Sequence, residues 1–165
     1  MAVDYIAQNP FAVLSLIAAP AILTNASSVL ALSTSNRFLR AGERMRAIAA
    51  ELHKLDVGDE HRLLMVQAGR VERQAILLLT ALRGAYVALA SFAAASLVST
   101  IGAGLATTNY IIPAHITVVV ALLIGFIGAG GLVSACSHLF RATRLSLMNI
   151  SEEAALIRKR ETSRT

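Results

Sequence analysis

The chain has 165 residues, enough for a single domain. Of these 56% are apolar and only 15% charged, with mean hydropathy +0.64 and net charge +5. What decides the class is distribution, because two long stretches contain no Lys, Arg, Asp or Glu: Ile6 to Asn36, and Gly84 to Phe140 with a polar break at Thr107–Pro113. A chain this short cannot bury three uncharged helices on every face, so a soluble domain is excluded as the expectation.

Roughly 20 residues at 1.5 Å each cross a ~30 Å hydrocarbon core. The first stretch therefore holds one span and the second holds two. Asp4 and the absence of Lys or Arg in Met1–Pro10 argue against a cleaved leader. All 15 Lys and Arg lie between the two stretches, Arg37 to Arg83, or after them, Arg141 to Arg164. The positive-inside rule then places the N-terminus outside and the C-terminus in the cytoplasm. Topology accounts for the basic pI, and anionic lipid rather than nucleic acid is the expected counterpart.

Span 1 runs about 11–31 with Pro20 in its middle, where a ladder hydrogen bond is lost and a kink is expected. Thr24, Ser28 and Ser35 fall on one face of this helix with Asn25 beside them. Buried in hydrocarbon, the Asn25 amide would be unsatisfied at a cost of several kcal/mol. Two readings stay open: these polar groups bond to the other spans, or several copies of span 1 surround an axis and Thr24, Asn25, Ser28 and Ser35 line a pore. Arg37, Arg40 and Arg44 follow on one side of the continuing helix. In a symmetric oligomer they form basic rings at the cytoplasmic mouth.

From Phe38 the apolar residues Phe38, Ala41, Met45, Ile48, Leu52 and Leu55 advance in steps of three and four. After a break at Asp56–Asp59, Leu64, Ala68, Val71, Ala75, Leu78 and Leu82 repeat the pattern. Two such seams joined by a short turn predict a cytoplasmic antiparallel coiled-coil hairpin over about 37–82. Gly58 is suited to a helix C-cap and Asp59 to the next N-cap.

Span 2, about 84–106, is rich in Ala and Ser. Span 3, about 111–136, carries Gly125, Ala129, Gly130 and Ser134 as small-xxx-small pairs, joined by Gly131/Ala135. Close backbone approach is what associates helices in lipid, and there is more small surface than three spans need, so a homo-oligomer is expected. A new helix is predicted to start at Ser151 within a C-terminal cytoplasmic segment, about 139–165, whose tail from Arg158 is expected to fray. His115 and His138 are expected to serve as polar helix-end residues. Cys136 has no partner cysteine, and no His/Cys cluster predicts a metal. No arrangement brings nucleophile to base and no phosphate loop follows a strand, so neither enzyme nor cofactor is expected.

The segment Ser15-Leu16-Ile17-Ala18-Ala19-Pro20-Ala21-Ile22-Leu23-Thr24-Asn25-Ala26-Ser27-Ser28, continuing through Leu32-Ser33-Thr34-Ser35-Asn36-Arg37, resembles the bacterial membrane proteins catalogued as domain of unknown function 2721. The resemblance covers about residues 10–150. It implies a multi-span bacterial membrane protein, hence the inner membrane, and supplies no activity. The fold expectation is thus an all-α integral membrane protein with three transmembrane helices, the first two extended into the cytoplasmic hairpin. The functional expectation is a homo-oligomeric channel or pore lined by span 1. Its alternative is a membrane-anchored scaffold whose hairpin binds a cytoplasmic protein.

Overall fold

The computed structural model describes the backbone of residues 10–54, 58–107 and 111–162, and side chains for residues 15, 18–54, 58, 61–105 and 116–147. Among the described residues helix is the one regular structure: α1 (Pro10–Leu52), α2 (Asp59–Thr107) and α3 (Ile111–Thr162). They contain 43, 49 and 52 residues. At 1.5 Å per residue each is about 65–78 Å long, at least twice a hydrocarbon core. Two of them, over His61–Leu105 and Ile116–Leu147, are long and apolar enough to cross a membrane. Only 28% and 11% of their most apolar windows are buried within the chain, unlike the core helix of a soluble protein.

α1 continues through Pro20, whose missing N–H leaves the Leu16 carbonyl without its usual donor. At the far end, His53 N–H reaches the Ala49 carbonyl (3.2 Å) and Lys54 N–H the Glu51 carbonyl (3.0 Å), a tightened last turn. Arg62 N–H then bonds the Gly58 carbonyl at 3.1 Å. Gly58 is therefore the N-cap of α2 and Asp59 its first helical residue, one position from the expected start, and Gly58 does not cap α1, which ends at Leu52. Leu55, Asp56 and Val57 lie outside the described residues, as do the side chains of the Thr107–Pro113 break.

The expected restart at Ser151 is absent, since α3 is unbroken to Thr162 and includes Arg158. Asn149 and Ser151 are only moderately poor helix formers, costing about 0.5 kcal/mol each. With no Gly or Pro beside them, the Glu152–Leu156 run carries the helix through.

The chain divides into two compact units, one of Met1–Leu32 with Arg83–Ala135, the other of Ser33–Leu82 with Cys136–Thr165. In the first, α2 presents Ala85, Ala88, Phe92, Ala95 and Ser99, all at most 2% exposed. Its packing against α3 is backbone on backbone at one point. A Cβ on Gly84 would lie 2.9 Å from the Gly131 carbonyl oxygen, and one on Gly131 would lie 2.9 Å from that of Gly84. Nearer the other end, a Cβ on Gly128 would meet the Phe92 ring at 2.9 Å.

In the second unit the expected seams do pack. Ala41, Ile48, Val71 and Leu78 are buried in one cluster, with Phe38, Met45, Leu52, Leu64, Ala68 and Ala75 against it. Ala142 (1% exposed) and Leu139 of α3 belong to the same cluster. The two-helix hairpin is thus one part of a three-helix packing, because α3 runs on far enough to close its open side.

Candidate functional site

The polar residues of α1 divide into three environments. Ser27 and Thr34 are buried, at 0% and 1% exposure, with Ala31 between them at 5%. Steps of four and three put these three on one helix face. They, rather than Thr24, Asn25 and Ser28, occupy the packed side. Ser27 Oγ has no hydrogen-bond partner.

Thr24 and Ser28 are satisfied locally. Thr24 Oγ1 donates to the Pro20 carbonyl at 2.8 Å and Ser28 Oγ to the Thr24 carbonyl at 3.0 Å. Such bonds to the residue four positions back let a hydroxyl sit at a helix surface without another partner. Thr24 and Ser35 are half-buried and Ser28 is exposed. Asn25 is exposed as well, two residues from Ser27 and so turned to the opposite side of the helix. Its neighbours there are apolar and open: Ile22, Val29 and Leu32 are 62–67% exposed.

Beside Pro20 and Leu23, an open groove of about 250 Å³ is lined also by Phe92 and Ser99 of α2 and by Gly125 and Phe126 of α3. Its walls are almost wholly apolar. The small-residue pairs of α3 separate by face. A Cβ at Gly125 or Gly130 would meet nothing within 4 Å, and Ala129 and Ser134 are exposed. Intramolecular packing falls instead to Ala121, Gly128, Ala135 and Ala142, at intervals of seven, helped by Gly131.

Arg37, Arg40 and Arg44 come together within one chain, along a cavity of about 300 Å³ in the second unit. Gln74 of α2 and Thr143 and Ser146 of α3 complete its polar lining, over an apolar floor of Ala41, Val71, Leu78 and Ala142. Arg37 Nη1 donates to Thr143 Oγ1 at 3.3 Å, and that hydroxyl donates on to the Leu139 carbonyl at 2.9 Å. His138, expected at a helix end, lies inside α3 with Nδ1 buried and without a partner. The side chain of His115 lies outside the described residues.

Sequence reasoning missed Ser27, Thr34, Gln74, Thr143 and Ser146. A signal for the first two was present. The seam of Phe38, Ala41 and Met45, continued toward the N-terminus in the same steps, lands on Thr34, Ala31 and Ser27. The cavity residues on α3 carried no such signal, since nothing in one sequence brings that helix to the hairpin.

Long helices, two of them apolar enough to cross a membrane, and a small-residue core define the class, among the described residues, as an all-helical protein with membrane-capable helices. The chain belongs to the family described as protein of unknown function DUF2721, whose model matches residues 17–151. No curated protein and no solved structure matches it.

Proposed function

We propose that this protein is the subunit of a homo-oligomeric inner-membrane channel of bacteria, with three spans, N-terminus outside, and α1 facing the axis. The observation that carries the reading is Asn25. It lies fourteen residues into the span of about 11–31, so roughly 21 Å, or two-thirds of the way, across a ~30 Å core. An amide exposed there costs several kcal/mol unless water or another polar group meets it. Additional copies of α1 around a wet axis supply both.

The locally bonded Thr24 and Ser28 suit such a lining, because they present hydroxyl oxygens without depending on a neighbouring helix. The open faces at Gly125/Ala129 and Gly130/Ser134 supply small surface for contacts between copies. The second unit, with its arginines, then lies on the cytoplasmic side.

The test places single cysteines at Thr24, Asn25, Ser28 and Ser35 in a C136S background, since Cys136 is itself exposed. Asn25 and Ser28 positions should react with a charged thiol reagent and block ion current through the reconstituted protein. Cysteines at buried Ser27 and Thr34 should stay inert. A protein that passes no current, with all four test positions unreactive, overturns the reading.

A scaffold is the second reading, and the observation favouring it is an apolar stripe on α2 in the second unit. Met65 and Ile76 are 56% and 57% exposed and Leu79 37%, in helical register with open Gly69. Apolar side chains aligned this way outside lipid mark a protein contact.

A further inference from the structure

We propose that the cavity lined by Arg37, Arg40 and Arg44 is a binding site for a phosphate oxyanion, presented as an anionic phospholipid headgroup or as a free phosphate. Arginines following an uncharged stretch are required by topology alone, so their presence is not the argument. What marks a site is convergence. Arg37, Arg40 and Arg44 from one face of α1 line a single cavity together with Gln74 of α2 and Ser146 of α3. None of the residues lining it is an Asp or Glu.

Arg37 and Arg40, three residues apart on the helix, carry charges of like sign that repel, and an anion held between them relieves this. At about 300 Å³ the cavity sits at the lower end of small-ligand sites, a size that suits a headgroup-sized anion. The apolar floor excludes water from one side and strengthens each charge-assisted bond to an oxyanion.

Thr143 has a separate part. Its proton goes to the Leu139 carbonyl, so toward Arg37 it offers only a lone pair, and Arg37 donates to it. That leaves it a positioning residue. One of the five guanidinium N–H groups bonds across to α3, which restricts the plane of the guanidinium.

The lipid source rests on the membrane reading proposed above. In that topology Arg37 directly follows the uncharged stretch, which sets the mouth of the cavity at the inner headgroups. The free-phosphate source does not need that placement.

Full-length protein in neutral detergent is examined by native mass spectrometry with added phosphatidylglycerol, cardiolipin or phosphatidylcholine, and by calorimetric titration with inorganic phosphate and pyrophosphate. R37Q, R40Q and R44Q should each weaken binding of the anionic ligand by about tenfold. R46Q and R73Q, at exposed arginines outside the cavity, should leave it unchanged. T143V should weaken binding less than R37Q does, and R37K should recover only part of the loss because Lys cannot form the fork. Circular dichroism melts of every variant establish that it is folded.

Anionic lipid retained over phosphatidylcholine, with the loss confined to the cavity variants, assigns a lipid headgroup. Phosphate or pyrophosphate binding without lipid retention assigns a free anion. Two results overturn the proposal: no anionic ligand bound by the wild type, or equal losses in R46Q and R73Q. Neither depends on whether current is observed, so this site and the channel reading fail separately.

Discussion

Two glycines bring backbone against backbone in the first unit, whereas Gly125 and Gly130 of α3 meet nothing within 4 Å. Gly84 and Gly131 face each other so closely that a methyl group on either lands 2.9 Å from a backbone oxygen, which a flexible side chain could yield to but a helix cannot. G84A and G131A should each destabilise by about 1–3 kcal/mol through over-packing. G130A should be neutral or stabilise by up to about 1 kcal/mol, since its Cβ meets nothing within 4 Å and Ala is the better helix former. Unfolding in mixed detergent micelles followed by circular dichroism checks the order. Equal effects at Gly130 and Gly131 would mean that the two faces of α3 are not distinct. At the same scale, the buried, unpartnered Ser27 hydroxyl adds nothing that Ala would lack, so S27A should be neutral or mildly stabilising in the same assay.

At the scale of elements, the helices were legible in the sequence and their number of partners was not. Uncharged stretches and steps of three and four are local properties, so α1, α2 and the seam from Phe38 to Leu82 could be read directly. The start of α2 was legible for the same reason, one position apart, because Gly58 punctuates the pattern, whereas α1 ends earlier, at Leu52, than its apolar seam implied. What could not be read is that Ala142 and Leu139 enter the hairpin core, since this depends on where a third helix lies in space. The small-residue pairs misled differently. Gly125/Ala129 and Gly131/Ala135 look alike as spacing, yet only the second pair meets a neighbouring backbone. The candidate pore residues shared that ambiguity: the sequence marked α1 as polar without saying that Ser27 and Thr34 turn inward and Asn25 outward. A142L tests the three-helix packing. Ala142 is 1% exposed, so a larger side chain should cost about 1–3 kcal/mol, whereas a hairpin of α1 and α2 alone would be indifferent to it.

For the whole molecule, the two functional readings separate on how many copies associate and which surface joins them. In a channel the Asn25 amide needs other copies, so the purified protein should be a closed oligomer by mass photometry. N25L should then be tolerated in folding, because Leu suits the surroundings of Ile22, Val29 and Leu32. It should nevertheless abolish or sharply reduce current, since an apolar ring inside the hydrocarbon core holds water poorly. The scaffold reading places the decisive surface on α2. There M65E/I76E should leave the mass of the particle unchanged while removing a captured cytoplasmic protein, because two buried carboxylates at a contact cost far more than they do in solvent. The crossed outcome decides between them. An oligomer whose current falls with N25L and is insensitive to M65E/I76E is a channel lined by α1. A monomer that loses a partner with M65E/I76E and is unaffected by N25L is a scaffold, and Asn25 then needs its polar neighbour from somewhere other than a second copy of α1.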